Sequence, residues 1–137
     1  MHIEKPLIVH GDREVFDQMA STFEVRLRLV IDKEVGIGPG KIGLLEGIKQ
    51  TGSIAAAGRQ LDMSYKRAWY LVEAMNAHFD RPLVEASKGG KSGGGATLTQ
   101  LGEDVLSAFR EMEAATDKAI APVLRRLRRK ITSVSSD

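Results

Sequence analysis

Three short helical patterns follow one another between residues 41 and 81, separated only by tight turns. In the first, "KIGLLEGIKQTG", Ile42, Leu45 and Ile48 lie at helical spacing, and Leu44 widens this apolar stripe. Gly52 suits the end of that helix, because the left-handed residue that closes a helix is usually glycine. Two short helices joined by a tight turn are typical of a helix-turn-helix.

The second and third patterns each begin with a serine. Ser53 precedes "IAAAGRQL", whose small side chains allow another helix to approach closely, and Ser64 precedes "YKRAWYLVEAMNAHFD". Both serines are predicted N-caps, since a side-chain oxygen can accept from the exposed amides of the first turn. Asp62 lies in the turn and tolerates a left-handed backbone. The third helix is expected to end before Pro82, with its core stripe formed by Tyr65, Ala68, Val72, Met75 and Phe79.

Strand patterns flank the helices. Residues 23–31 alternate between apolar and charged side chains, which predicts one half-buried strand, ended by the glycines and proline of residues 36–40. Residues 83–86 and 96–98 are short strand candidates around a glycine-rich tip. A long amphipathic helix follows over residues 99–121, where Pro122 should break or kink it. Its apolar stripe is predicted to comprise Leu101, Val105, Ala108, Phe109 and Met112.

The glycine-rich stretch "KGGKSGGGA", residues 88–96, contains the letters G-K-S. A phosphate-binding loop needs a glycine five positions before that Gly-Lys-Ser, but the residue there is Glu85, whose charge repels phosphate. Two interpretations of this stretch remain, a flexible hairpin tip and a hairpin tip that contacts DNA. Glycine lets a backbone approach DNA closely, and Lys88, Lys91 and Ser92 could meet the phosphates or the minor groove.

The composition excludes several classes of protein. The net charge is only +2, so DNA binding would require clustered cations. There is no cysteine and no apolar run near the length of a membrane span, which favours a cytoplasmic protein without a disulfide or thiolate metal site. The three histidines show no ligand spacing and no nucleophile motif is present, so we expect neither an enzyme nor a bound cofactor.

The motifs "GSI", "MSYKRAW", "MN", "GGKSGGGA" and "LTQLG" occur in order, and the chain resembles the N-terminal DNA-binding domain of the ModE-type molybdate-responsive regulators. These regulators are related to the LysR-type winged helix, and the resemblance covers roughly residues 22–120. It implies a mainly α fold with a small β-hairpin wing. The expected organisation is an N-terminal extension (1–21), a winged helix-turn-helix (22–98), a dimerisation helix (99–121) and a basic C-terminal tail (122–137).

The resemblance also implies a cytoplasmic homodimer, formed through the 99–121 helix, that binds double-stranded operator DNA. The family's molybdate-binding domain is a separate C-terminal barrel, and the 16 residues after Ala121 cannot form one. The resemblance therefore carries over DNA binding but not molybdate sensing. A separate protein could supply a sensor, and the sequence does not specify whether molybdate or another effector binds elsewhere on the chain. The operator and the direction of regulation are not encoded in any motif found here.

A helix-turn-helix places the start of its second motif helix in the major groove. The expected DNA-contacting residues are Ser53, Ser64, Tyr65, Lys66, Arg67 and Tyr70, together with Lys88, Lys91 and Ser92 of the wing tip. Each has a purely structural alternative. The serines are caps in any case, Tyr65 also falls on the core stripe, and the two cations could be a solvated helix start.

Two further alternatives concern the whole chain. A winged helix can be a protein-protein interaction module, which would predict an exposed apolar patch in place of the cationic helix. The basic run "RRLRRK", residues 125–130, could bind phosphate, meet an acidic partner or simply be solvated.

Overall fold

The computed structural model of the chain describes residues 23–87 and 95–131. Its elements are β1 (Leu29–Ile31), β2 (Glu34–Ile37), α1 (Pro39–Thr51), α2 (Ile54–Gln60), α3 (Tyr65–Ala77), β3 (Val84–Ser87), β4 (Gly95–Leu98) and α4 (Gln100–Arg128). The predicted fold class, mainly helical with a small β-hairpin and a long C-terminal helix, is confirmed.

An antiparallel hairpin of β1 and β2 precedes the helices. Its turn consists of Asp32 and Lys33, whose φ values of 47° and 69° suit a two-residue turn that matches strand twist. Residues 23–30 alternate between half-buried and exposed as predicted, but only Leu29–Ile31 pairs as a strand. The prediction that the glycines simply end this region was wrong. Gly36 lies within β2, where a Cβ atom would come within 2.5 Å of Ile31.

The three helices form as the sequence predicts, and their apolar faces make the core. In α1, Ile42, Leu44 and Leu45 are completely buried. Gly52 ends α1 with φ 71°, and its N–H donates to the Ile48 carbonyl at 2.8 Å. The small residues allow close helix packing, since a Cβ atom on Gly47 would lie 2.7 Å from the Ala57 Cβ of α2.

The core stripe of α3 differs from the prediction at its ends. Ala68, Val72 and Met75 are buried as expected, and Leu71 joins them. Tyr65 is 59% exposed, because it is the first helical residue and its ring packs edge-on against Trp69 rather than in the core. The helix also ends earlier than Pro82 requires. Ala77 is its last residue and His78 is its C-cap.

The hairpin of β3 and β4 pairs Val84 with Leu98 through Ser87 with Gly95, and it is held to the helices at its base. The amide of Ala96 donates to the Gly52 carbonyl at 2.9 Å, at the turn between α1 and α2. The wing strands are therefore attached directly to the helix-turn-helix.

The last helix, α4, begins with Thr99 as its cap, whose hydroxyl oxygen accepts from the Gly102 amide at 3.0 Å. The helix continues through Pro122 to Arg128, so the predicted break was wrong. A proline removes one hydrogen bond of the ladder, and here helical residues on both sides carry the helix past that gap. Leu106 and Phe109 are buried, whereas Ala108 and Met112 of the predicted stripe are exposed.

The chain divides into two compact units. The first comprises residues 26–113, and the second includes residues 23–25 and 114–131 of the described chain. Within the second unit, the guanidinium of Arg128 lies over the ring of Phe23, 4.9 Å from its centroid. None of the described helices is long and apolar enough to cross a membrane.

Candidate nucleic-acid interface

The N-terminal half of α3 presents polar and aromatic side chains to solvent. Lys66, Arg67 and Tyr70 are exposed, while Ala68 and Val72 between and beyond them are buried. This arrangement follows from helix geometry, because residues three and four apart share a face. The buried face fixes the helix on the core, so the exposed cations project from a rigid support.

Both predicted caps are present. The Ser64 hydroxyl oxygen accepts from the Arg67 amide at 3.0 Å, and the Ser53 hydroxyl oxygen accepts from the Ala56 amide at 3.1 Å. Accepting these bonds leaves each hydroxyl hydrogen available to donate to another acceptor. The capping role of both residues is thus confirmed, and contact with phosphate stays a prediction for both.

Aromatic rings organise the exposed face of α3. The guanidinium of Arg67 lies 5.8 Å from the centroid of the Tyr70 ring, within the range of a cation–π interaction. Tyr65 and Trp69 meet edge-to-face with centroids 6.1 Å apart. Trp69 is half-buried against the core, so it is a packing residue. A shallow depression of about 430 Å³ on this face is lined by Tyr65, Lys66, Trp69, Tyr70 and Glu73.

A buried lysine that the sequence reading did not single out lies near this face. Lys41 is only 9% exposed, and its Nζ donates to the Gly36 carbonyl at 2.8 Å. Burial lowers the pKa of Lys41 below its ordinary value, and the nearby positive charge of Arg67 lowers it further. Lys41 therefore adds positive potential behind Arg67 while being unable to reach a partner in solvent.

The described residues of the wing are its two strands, β3 and β4. Lys88, Lys91 and Ser92 lie outside the described residues, so their predicted DNA contacts stay predictions. Ser87 and Gly95, the last pair of the hairpin before the tip, are described and pair in register.

Asn76 is a second residue whose role the sequence reading missed. Its side chain bridges α3 to β3, because Oδ1 accepts from the amides of Leu83 at 2.8 Å and Val84 at 3.2 Å. Its Nδ2 donates to the Val84 carbonyl at 3.3 Å. The signal was present in the sequence, since asparagine is unfavourable inside a helix and usually has a hydrogen-bonding reason to be there.

The described residues contain no cluster of three or more potential metal ligands of the His, Cys, Asp or Glu types. Among the histidines, His78 is described, and it is the half-buried C-cap of α3. The side chains that the N-terminal half of α3 exposes are cationic and aromatic.

Known proteins share both the sequence pattern and the fold. Residues 41–103 match the family described as bacterial regulatory helix-turn-helix protein, lysR family. The molybdenum-pterin-binding protein MopB of Rhodobacter capsulatus is 45% identical over 85 residues, which are 62% of this chain and 32% of that protein. The transcriptional regulator ModE of Haemophilus influenzae is 38% identical over 96 residues, which are 70% of this chain and 38% of that protein.

The chain thus spans about a third of the length of these curated relatives, 32% and 38%. Among solved structures, that of the CbnR_DBD-DNA complex matches with a TM-score of 0.52 and 20% identity. The match covers 64% of this chain and 95% of that one, and it shows the fold alone. The resemblance to ModE-type regulators and the winged helix-turn-helix fold are both confirmed by these matches.

Proposed function

We propose that this chain, whose residues 41–103 form a helix-turn-helix domain of the lysR type, binds double-stranded DNA as a transcriptional regulator. The observation that carries the proposal is the N-terminal half of α3. It is anchored by a buried face and exposes Lys66, Arg67 and Tyr70 at the place where this fold meets the major groove. We propose no catalytic step and no cofactor, and the compartment proposed is the cytoplasm, where operator DNA is accessible.

The side chains of α3 suit different parts of a duplex. Arg67 can form a bidentate contact with a guanine edge, and its contact with Tyr70 restricts the guanidinium before DNA arrives. Lys66 suits a phosphate or a base, while the rings of Tyr65 and Tyr70 suit a sugar or a thymine methyl group. Ser53 and Ser64 are proposed to donate their free hydroxyl hydrogens to phosphates.

The wing tip is proposed as a second element that meets the same duplex. Lys88, Lys91 and Ser92 would contact the backbone or the minor groove. Support comes from the base of the hairpin, since the bond from Ala96 to Gly52 and the contacts of Asn76 fix the wing strands to the helix-turn-helix.

Dimerisation is proposed to use α4, the helix predicted over residues 99–121. Its later half carries an apolar stripe at three-four spacing, with Val123 52% exposed and Leu127 50% exposed and Ile120 half-buried. Exposed apolar side chains in a row are typical of a surface that another helix covers. A homodimer would present two copies of α3 to the two halves of a palindromic operator.

The proposal is tested by fluorescence anisotropy with a duplex from upstream of the chain's own gene and a random duplex. We expect tighter binding to the upstream duplex, and Lys66→Ala/Arg67→Ala should abolish that preference. The charge-matched control is Lys49→Ala/Arg81→Ala, which removes two exposed cations away from the α3 face. No binding by the unaltered chain at low salt would reject the proposal.

A second candidate function is a protein-protein interaction module. The specific observation in its favour is the aromatic share of the α3 face, where Tyr65 is 59% and Tyr70 is 62% exposed. Such rings are enriched at protein interfaces. Because this candidate depends on the rings rather than the cations, Tyr65→Ala/Tyr70→Ala would abolish partner capture while Lys66→Ala/Arg67→Ala would spare it.

A further inference from the structure

The C-terminal part of α4 carries a row of cations that the proposed recognition helix and wing do not use. Lys118 and Arg125 are seven residues apart and lie on one face of α4, Arg129 follows in the turn directly after the helix, and all three are exposed. From residue 118 to residue 131 the chain has six cations and no acidic residue. The row is therefore a surface of one sign of charge.

Helix stability accounts for Arg125, which lies in the last turn of α4, but not for Lys118. Cations near a C-terminus interact favourably with the helix dipole, but that effect is confined to the last turn, and Lys118 lies ten residues before the end of α4. Among the described residues, no carboxylate forms an ion pair with any of the three. The exposed cation Lys118, on the same face as Arg125, therefore has no explanation in the stability of α4.

The row lies across the helix from the apolar stripe. At 3.6 residues per turn, Lys118, Arg125 and Arg129 lie roughly opposite Val123 and Leu127. A partner helix that covers the stripe therefore leaves the cations in solvent. Arg128 is different, since its guanidinium packs over Phe23.

We propose that Lys118, Arg125 and Arg129 form a second DNA-binding surface, which contacts backbone phosphates without reading sequence. The inference rests on the proposed DNA binding and adds a surface in the second compact unit. The rise of a helix places these side chains about 10 Å and about 6 Å apart along the axis. A duplex carries one phosphate charge per about 1.7 Å of its axis. Cations at this spacing can therefore reach phosphates without a particular alignment of the helix along the duplex.

The test compares the salt dependence of binding for the full chain and its variants on a 40-base-pair random duplex. The slope of log K against log salt is negative, and each lost phosphate contact lowers its magnitude by about 0.9, so Lys118→Gln/Arg125→Gln/Arg129→Gln should lower that magnitude by up to about 2.7. The control Lys33→Gln/Lys49→Gln/Arg81→Gln removes the same net charge from exposed positions outside this row. Its slope should stay close to that of the unaltered chain.

The possible outcomes separate the two proposals. If the unaltered chain fails to bind DNA at low salt, the proposed function itself is wrong. If it binds, and the row variant keeps the slope of the control, the second surface is rejected. The second surface is also rejected if the row variant leaves the DNA slope unchanged but loses binding to phosphatidylserine vesicles or to an acidic protein. Should circular dichroism show the triple variant unfolded, Lys118→Gln and Arg125→Gln are measured singly, each with an expected decrease of about 0.9.

Discussion

Asn76 holds the recognition helix and the wing together, and its removal should have a large and specific effect. The side chain satisfies two amides and one carbonyl of the chain segment that starts β3, at 2.8, 3.2 and 3.3 Å. These backbone groups belong to Leu83 and Val84, which are 0% and 4% exposed. Asn76→Ala would leave the groups without their partner in a place that water reaches poorly.

The magnitude follows from those three bonds. A buried polar group left unsatisfied costs about 1–3 kcal/mol, and the two amides are the well-formed bonds of the set. The third, at 3.3 Å, lies beyond the usual range and adds little. A small gain in helix propensity from asparagine to alanine, a few tenths of a kcal/mol, opposes the loss. We therefore expect Asn76→Ala to lower the free energy of unfolding by about 2–4 kcal/mol.

The assay is urea unfolding followed by far-ultraviolet circular dichroism at one fixed protein concentration, because oligomerisation makes stability depend on concentration. Asn76→Asp is the matched control. A carboxylate of the same shape can accept from both amides but cannot donate to the Val84 carbonyl, so its loss should be clearly smaller at neutral pH. An alanine variant as stable as the aspartate variant would show that the bridge does not hold the wing.

Three further predictions test packing, capping and pH dependence. Gly47→Ala should lower the free energy of unfolding by about 1–2 kcal/mol, because the new methyl group clashes with α2. Gly40→Ala is the control, since nothing lies within 4 Å of its new methyl group and it should not destabilise the fold. Equal thermal unfolding temperatures for the two variants would refute this prediction. Ser64→Ala should cost about 1 kcal/mol by uncapping α3 and should weaken DNA binding in anisotropy more than Ser53→Ala does. Because burial lowers the pKa of Lys41 in the folded chain, Lys41 contributes stability that rises with pH just below pH 10.5, whereas the raised pKa of Lys49 beside Glu103 acts in the opposite direction. Lys41→Met should therefore make stability fall more steeply, or rise less, with pH over that range, and an unchanged pH profile in chemical unfolding would contradict the assignment.

Local signals predicted most of the helical part of the fold. Ser53, Ser64, Gly52 and Asp62 all act as their residue types suggest, because capping oxygens and left-handed backbones are decided within a few residues. The buried positions of α1 also follow from helical spacing. These elements needed no knowledge of distant contacts.

Tertiary contacts decided the features that the sequence reading missed. In the second strand of the first hairpin, Gly36 fits closely against Ile31. The alternation of apolar and polar residues in the sequence does not reveal such a contact. Tyr65 has the spacing of a core residue, but a stripe is buried only as far as its neighbours extend. Likewise, Pro122 lowers the local preference for helix without ending α4, because a single lost bond is a small part of a long helix.

The candidate DNA-binding site also contains features that local sequence signals predicted and features that depend on tertiary contacts. The exposure of Lys66, Arg67 and Tyr70 followed from their positions off the core stripe, and the structure confirms it. The contact of Arg67 with Tyr70 and the buried position of Lys41 depend on side-chain packing in three dimensions. Their roles toward DNA stay proposals, which the anisotropy experiments address.

Motifs that are separate in the sequence constrain one another in the fold. Gly52 ends α1 through its N–H, opens the turn toward Ser53, and accepts the Ala96 amide of the wing with its carbonyl. Its φ of 71° favours glycine, and a Cβ atom on Gly95 would lie 3.1 Å from the same carbonyl. Gly52 is thus favoured by its positive φ, since nothing lies within 4 Å of a Cβ atom placed on it, whereas Gly95 is favoured by the close approach of the two backbones. Gly95, the first residue of β4, therefore has a structural reason to be glycine that is independent of any contact with DNA.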